Sequence, residues 1–418
     1  MATDPGDVSL FEKHESNVRL YAEKFPAVFT HGRGAWLYSE DGRKFLDFFC
    51  GASALNYGHN PAHAKQRLLD YVTRDGLVHG LDTHTAAKRE LLARLHEVVL
   101  APHGLPHKVQ FCGPTGTDAV EAALKLARKV TGRQTVVAFT GAFHGMSRGS
   151  LSVTGSLRAR AAGSVGIQDV VFVPYETGPG GEFDSIGYLE RLFADPAGGV
   201  GAPAAVIVEP VQVDGGVYPA SAAWLRELRA LTERWGTLLI CDDIQAGVGR
   251  TGDFFSFSHA GITPDLITLS KSISGFGLPL SLLLIAPDLD VWQPGEHTGT
   301  FRGNQLAFVT ATAVLDLWTR PEFTDTVAEN ARTLQDTLRR LGEARPDITV
   351  RGRGMLAGID VGETERATAI QKHCFEQGLI LELCGRDDQV VKLMPPLDIA
   401  DADLRLGLGI VESAVDAA

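Results

Sequence analysis

Between residues 108 and 285 of this 418-residue chain, short runs of Val, Ile, Leu and Ala recur, each bounded by Gly, Pro or Asp and separated from the next by a longer stretch of helical pattern. The runs are Lys108 to Cys112, Thr135 to Thr140, Val170 to Val173, Ala205 to Glu209, Thr237 to Cys241, Leu266 to Ser270 and Leu280 to Ile285. A strand that is apolar along nearly its whole length has no face for water, so it belongs in a sheet covered by helices on both sides. This rhythm predicts an α/β fold around a mostly parallel, seven-stranded sheet. In such sheets ligands collect beyond the carboxyl ends of the strands, and three of the runs end at or beside Glu209, Asp242 and Lys271.

The flanks read differently. Gly34 to Phe48 has the pattern of a hairpin turning at Asp41-Gly42, a strong turn dipeptide between apolar strands. From about Trp318 an amphipathic helix runs toward Arg339, and strands near Ile348 to Val350, Leu356 to Val361 and Val390 to Leu393 follow. We therefore expect a large domain over residues 60–315 and a smaller α+β domain assembled from both ends, residues 1–59 and 316–418. The segment Tyr175 to Glu182, rich in Gly, is expected to be a surface loop.

Charge narrows the partners. A formal net charge of −12 disfavours nucleic acid and anionic membranes, which need an excess of Lys and Arg. The five cysteines lack Cys-x-x-Cys spacing, so reduced thiols in a cytoplasmic protein are expected rather than disulfides or a zinc knuckle. The start, Met1 to Asp7, has no basic stretch leading into an apolar one, and no apolar run is long enough to span a bilayer.

The pair Ser270-Lys271 follows the run Leu266 to Leu269 and lies 29 residues (271−242) after Asp242. An ammonium at the tip of a buried strand is poorly solvated, so its proton affinity falls and the free amine can attack an aldehyde. Asp242, at the end of another buried strand, suits the opposite end of a pyridine ring, where a carboxylate keeps the ring nitrogen protonated and the ring electron-accepting. A buried lysine and a buried carboxylate so arranged point to pyridoxal phosphate. Taken singly, Asp242 is an ordinary cap for a following turn, Gln245 a solvated polar residue and Lys271 an exposed amine; the set carries the reading.

Other residues add to it. After Cys112, the stretch Gly113 to Asp118 opens a helix with apolar residues at Val120, Ala123, Leu124, Ala127 and Val130. Gly116 permits close backbone approach, Thr115 and Thr117 offer donors, and first-turn amides lack intrahelical partners, so a phosphate is welcome there. Alone, Thr and Asp at a helix start are just a cap. Phe143, in Thr140 to Gly145, can lie on a flat ring, with core packing as its plainer role.

Three further patterns are decoys. Gly145 to Gly149 matches the Gly-x-Ser-x-Gly elbow of serine hydrolases around Ser147, but a chain with 46 glycines meets that pattern by chance. Gly247 to Gly252 lacks the Gly-Lys-Ser/Thr ending of a phosphate-binding loop. His79 and His84 lack zinc-ligand spacing, and no metal is expected.

Together these residues resemble the class III aminotransferases of the fold-type I pyridoxal-phosphate family, from about Gly34 nearly to the C-terminus. Leu239 to Gly252, then Pro264-Asp265 and Leu269 to Ser272, carries the likeness, with Asp243 where Glu is more usual. The resemblance implies that Lys271 bears the cofactor, Asp242 faces its ring nitrogen and Gln245 its ring hydroxyl. It implies also that Thr115, Gly116 and Thr117 form the phosphate turn, that Phe143 and His144 belong to the ring-stacking segment, and that Glu209 lies at the cofactor. Thr300 matches a residue that reaches the phosphate of the neighbouring subunit, which implies a homodimer or higher homo-oligomer with shared sites. The substrates implied are an amino-acid donor and an aldehyde or keto-acid acceptor, near Ser53, Asp214, Arg302 and Lys392. Lys392 stands where many relatives place an arginine for a carboxylate. Where the family usually reads Gln-Gly-Glu-Gly-Gly, with the glutamate gating that cation, this chain has Gln212-Val213-Asp214-Gly215-Gly216, bulkier at one position and a methylene shorter at the next.

Overall fold

A computed structural model of the chain describes residues 6–163 and 169–418; Met1 to Pro5, part of the stretch read above for an export signal, lie outside them. The seven apolar runs form one sheet in the spatial order Lys108–Phe111, Leu282–Ile285, Leu266–Leu269, Leu238–Asp242, Ala205–Val208, Val136–Phe139, Val170–Val173. Leu238–Asp242 pairs in parallel with both Leu266–Leu269 and Ala205–Val208, and Val136–Phe139 in parallel with both Ala205–Val208 and Val170–Val173. Leu282–Ile285 runs antiparallel to both its neighbours. Lys108–Phe111 therefore points the same way as the five parallel strands, and six carboxyl ends share one edge of the sheet. Burial explains the composition: every residue of Val136–Phe139, Ala205–Val208, Leu238–Asp242 and Leu266–Leu269 is buried.

The helix Gly116–Thr131 covers one face, burying Ala119, Val120, Ala123, Leu124 and Ala127 at helical spacing and ending at Gly132 in left-handed conformation (φ 68°). Its first turn starts on the sheet edge that carries the strand ends, so its unpaired amides face the region where those ends converge.

The chain ends meet through two small sheets. Phe29–Arg33, Trp36–Ser39 and Lys44–Asp47 form an antiparallel meander that Leu379–Ile380 joins in parallel, placing Leu379 opposite Leu46. Thr349–Arg353, Leu356–Asp360, Val390–Leu393 and Glu382–Cys384 form the other, in which Lys392 lies opposite Gly358 on one side and Glu382 on the other.

Two elements differ in extent from the sequence reading. The helix expected from Trp318 begins at Pro321 and runs to Ala344, after a 3-10 turn over Asp316–Thr319; proline suits the first helical position, where its missing N–H is not needed. The glycine-rich segment near Tyr175 is not irregular but a tight hairpin of Thr177–Gly178 with Gly181–Glu182, with Gly181 at φ 88°. Among the described residues no helix is long and apolar enough to cross a membrane.

Candidate active site

Three adjacent strand ends build the floor of the site. Asp242, the last residue of its strand and only 4% exposed, accepts hydrogen bonds on Oδ1 from Thr268 Oγ1 (3.0 Å) and Ile244 N (3.2 Å), while Oδ2 lies 2.7 Å from His144 Nδ1. A buried carboxylate is tolerated only when so satisfied. His144 is itself buried, its amide donates to Thr154 Oγ1 (3.0 Å), and its far nitrogen, Nε2, has no partner among the described residues. One strand over, Glu209 accepts from Phe143 N at 2.9 Å. Burial, reinforced by the nearby Asp242 charge, pushes the Glu209 carboxyl well above the usual carboxylate range.

Lys271 opens a 3-10 turn, Lys271–Ser274, directly beyond Leu266–Leu269 and Ser270. Its backbone is left-handed (φ 50°), a conformation that costs a non-glycine residue roughly 1–2 kcal/mol. Such a cost persists where the surroundings impose it, and functional sites are where it concentrates. Among the described residues only its carbonyl takes part in a side-chain hydrogen bond, from Ser274 Oγ (3.5 Å). Burial lowers the proton affinity of the amine, Lys392 adds to that, and Asp214 opposes it.

The helix start is a close neighbour. A Cβ added to Gly116 would lie 3.0 Å from Ile244 Cδ1 and 3.4 Å from Ser270 Cβ, so the backbone there passes against both the Asp242 loop and the residue before Lys271. The two threonine hydroxyls beside it are engaged locally. Thr115 Oγ1 and N both donate to Asp118 Oδ2 (2.9 and 3.2 Å), a cap of the plain kind, and Thr117 Oγ1 lies 2.7 Å from Ser147 Oγ. What this turn offers an anion is backbone amide.

Ser147 belongs to that same local network. Its Oγ donates to Glu121 Oε1 (2.5 Å), which also accepts from Gly149 N (2.7 Å) and Ser150 N (3.2 Å) at the start of the short helix Arg148–Ser152. No histidine is among its hydrogen-bond partners in the described residues. Ser147 is one member of the network through which Glu121 caps this helix, not a nucleophile at an elbow.

A second lysine closes the other side. Lys392, fully buried, sets its Nζ 2.7 Å from Asp214 Oδ1 and 2.9 Å from Glu382 Oε2. Tyr21 Oη donates to Glu382 Oε1 (2.5 Å), and Gln245 Nε2 reaches Asp214 Oδ1 at 3.4 Å. Burial alone would lower the Lys392 pKa; Asp214 and Glu382 outweigh it and hold it well above the ordinary lysine value. Burial likewise raises the Asp214 carboxyl, and Lys392 with Lys271 more than reverses that, leaving it lowered.

Thus the structure brings together Glu209, Asp242, His144, Phe143, Gly116 and Lys271 at the strand ends, with Gln245, Asp214 and Lys392 beside them. Ser53 is nearby but turned away: its hydroxyl faces Met394 Sδ (3.4 Å), while its carbonyl accepts from Ser272 Oγ (2.5 Å). Thr300 and Arg302 lie apart from that hydrogen-bonded set. Thr300 is exposed, and Arg302 donates to His297 O and to Asp82 Oδ2 (3.3 Å). Sequence reasoning passed over Glu382, Tyr21 and Thr268. For Glu382 a signal existed, a carboxylate inside the apolar run Leu379 to Cys384, as Lys392 sits inside Val390 to Met394.

The sequence model of the family "Aminotransferase class-III" matches residues 19–415. The chain is 48% identical to diaminobutyrate–2-oxoglutarate transaminase of Halalkalibacterium halodurans, covering 98% of this chain and 97% of that one, and 50% identical to the protein of the same name from Nocardia farcinica, covering 98% and 94%. Ornithine aminotransferase from Toxoplasma gondii ME49 superposes with a TM-score of 0.84 at 24% identity over 98% of this chain and 94% of that one, a likeness of fold. The chain belongs to the class III aminotransferases, with the fold-type I architecture and pyridoxal 5′-phosphate as cofactor. The residues present fit that group: the buried Asp242 carboxylate, the His144 Nε2, a side-chain-free approach at Gly116 and the Lys271 amine, the nitrogen and the amine both without a partner among the described residues, converge on one edge.

Proposed function

We propose that the protein transfers the amino group of L-glutamate to L-aspartate 4-semialdehyde, giving 2-oxoglutarate and L-2,4-diaminobutyrate. The observation that carries this reading is the near-full-length likeness, at 48–50% identity, to proteins named diaminobutyrate–2-oxoglutarate transaminase. The ectoine-type pathway is the setting it implies, and five buried, unpaired cysteines agree with a cytoplasmic location.

In this reading Lys271 would bear the cofactor, backbone amides at Gly116 and Thr117 would hold its phosphate, and Phe143, His144, Glu209 and Gln245 would help hold its ring. The bound group supplies an electron-accepting ring that lets a bond at the substrate's reacting carbon break. Asp242 Oδ2, held by His144, keeps negative charge opposite the ring nitrogen. Lys271 Nζ, its basicity reduced by burial, then moves a proton at the substrate carbon, which a permanently charged ammonium cannot do. Lys392 anchors a substrate carboxylate, and Asp214 occupies the cation when the reacting end carries none. Asp214 is shorter than the usual glutamate yet still reaches Lys392 at 2.7 Å. The change beside it, Val213, is buried, and favours as a second reading a related class III enzyme with a different amine and aldehyde.

A homodimer with shared sites belongs to the same proposal. Thr300 lies in an exposed turn beside the exposed Phe301, and Leu77, Val78 and Leu81 are exposed apolar residues of the kind a second copy covers.

The test mixes cofactor-loaded protein with single amines and keto acids and follows its visible absorbance. Glutamate and 2,4-diaminobutyrate should each discharge it, and 2-oxoglutarate and aspartate 4-semialdehyde should restore it. Failure to form 2,4-diaminobutyrate from glutamate and the semialdehyde would overturn the substrate assignment.

A further inference from the structure

Lys392 poses a problem of charge. A buried guanidinium keeps its proton under almost all conditions, whereas a buried ammonium gives it up readily. A lysine that is to hold a substrate carboxylate in a site without water therefore needs a counter-ion that stays. Asp214 is a poor one, because its Oδ1 already occupies the position on Nζ that an incoming carboxylate would take, and a third of its side chain (34%) is accessible, leaving it room to withdraw.

Glu382 differs in each respect. It lies directly opposite Lys392 in the register of neighbouring strands, is 6% exposed, and sets Oε2 2.9 Å from Nζ. Its other oxygen accepts the Tyr21 hydroxyl, and the Tyr21 ring packs against Phe49 with centroids 4.8 Å apart. Resting on the reading of Lys392 as a carboxylate anchor, we propose that Glu382, braced by Tyr21, is a positioning residue: the permanent counter-ion that keeps Lys392 charged and in place whenever Asp214 yields to a substrate carboxylate. An ammonium can hold Glu382 as an ion pair and still have N–H donors for a substrate oxygen. The other ionisable groups around Nζ are Asp214, Cys384 on the strand of Glu382, and Lys271 across the site; the strand on the far side presents Gly358, which has no side chain. Burial together with the two nearby carboxylates raises the Cys384 thiol to about 12, so it stays neutral through the range that matters.

The probe is glutarate, a dicarboxylate with neither amine nor carbonyl, titrated calorimetrically into cofactor-loaded protein from pH 7 to pH 9. Removing one close opposite charge lowers a buried ammonium's pKa by ~1–3 units. Glu382→Gln should therefore weaken glutarate progressively more than in the wild type as pH rises toward 9, by up to about tenfold. Glu382→Asp should restore much of the lost affinity at pH 9, and Tyr21→Phe should shift the profile the same way by less. In turnover the loss should fall on KM for glutamate and grow with pH. Adding Lys392→Arg to Glu382→Gln should flatten the profile, since a guanidinium does not titrate here. A Glu382→Gln profile parallel to wild type, or one that stays steep after Lys392→Arg, would overturn the proposal. Absence of glutarate binding to the wild-type protein would instead overturn the anchor reading beneath it.

Discussion

Lys271 is half-buried and Lys392 fully buried, yet the proton affinity of the first is pushed down and that of the second up. Loss of water disfavours the charged form of both. What separates them is the carboxylates at the tip: among the described residues none is in direct contact with Lys271 and two lie within 2.9 Å of Lys392. Loss of water thus lowers the basicity of one lysine and, once offset by carboxylates, leaves the other more firmly protonated. A lysine's chemistry follows from what meets its ammonium and not from its depth alone.

Replacing each lysine should break the comparison in a different currency. Lys271→Ala should lose roughly three or more decades of turnover, because proton transfer commonly contributes ~10²–10⁴-fold and the covalent attachment is lost as well. Its folded stability should not fall, because the charge that opposes folding is removed with it. Borohydride treatment and peptide mapping of the loaded wild-type protein should mark residue 271, and a variant with near-normal turnover would remove the assignment. Lys392→Met should do the reverse in stability, since it strands Asp214 and Glu382 without their cation; breaking a buried pair costs about 3–5 kcal/mol, read by urea unfolding of the cofactor-free protein. The pH dependence has a definite sign. Lys392 has a raised folded pKa, so its contribution is fully present below the ordinary lysine value of ~10.4 and fades only as pH climbs through the higher folded one. The Lys392→Met deficit should therefore be flat from pH 7 to pH 9. Lys271 has a lowered folded pKa, so its charging opposes folding below that value, and the cofactor-free protein should gain stability as pH rises toward ~10.4. Lys271→Ala should remove that slope.

How much of this was legible in the sequence follows from which interactions are local. The seven strands were readable because a fully buried strand must be apolar throughout, and Asp242 and Lys271 because they interrupt apolar runs at strand ends. Strand order and register were not, as they depend on pairings between segments far apart in the chain. The contact of Tyr21 with Glu382 joins residues 361 positions apart, and no pattern within either segment announces it. The turn Cys50–Ser53 was equally hidden. Four successive residues there have positive φ (48°, 56°, 55° and 70°) although only one is glycine. It is held from outside, by Asp47 Oδ1 accepting from Cys50 N (2.8 Å) and by Ser272 Oγ on the Ser53 carbonyl. Thr115 and Thr117 were visible as donors, but their acceptors, Asp118 and the serine cluster, were a matter of rotamer.

Gly116 sharpens the contrast between backbone and side chain at the phosphate turn. If amides rather than threonine hydroxyls do the binding there, Gly116→Ala should weaken cofactor retention, because its new methyl must push Ile244 Cδ1 from 3.0 Å. Overpacking of this kind costs ~1–3 kcal/mol, about one decade or two in cofactor affinity measured by dialysis against free pyridoxal phosphate. Thr115→Val should loosen the helix cap by about 1 kcal/mol and leave affinity nearly unchanged. A larger loss of affinity from Thr115→Val than from Gly116→Ala would reverse the assignment.

The smallest effect is expected at Ser147, and its smallness is the point. A serine at the heart of a Gly-x-Ser-x-Gly motif either attacks a carbonyl or does something structural. Here its hydroxyl donates to Glu121, and the same carboxylate caps the Arg148–Ser152 helix through Gly149 N and Ser150 N. Loss of the hydroxyl leaves those two backbone bonds to Glu121 intact, so Ser147→Ala removes one member of a network rather than a helix cap outright. The expected cost is about 0.5–1.5 kcal/mol, the net worth of a single hydrogen bond, seen as a modest drop in urea midpoint. Transamination should stay within about twofold, since roughly 0.4 kcal/mol corresponds to that factor. An active-site phosphonate should leave Ser147 unlabelled, because no histidine is among its partners in the described residues and Glu121, which takes its hydrogen bond, is already engaged by two backbone amides.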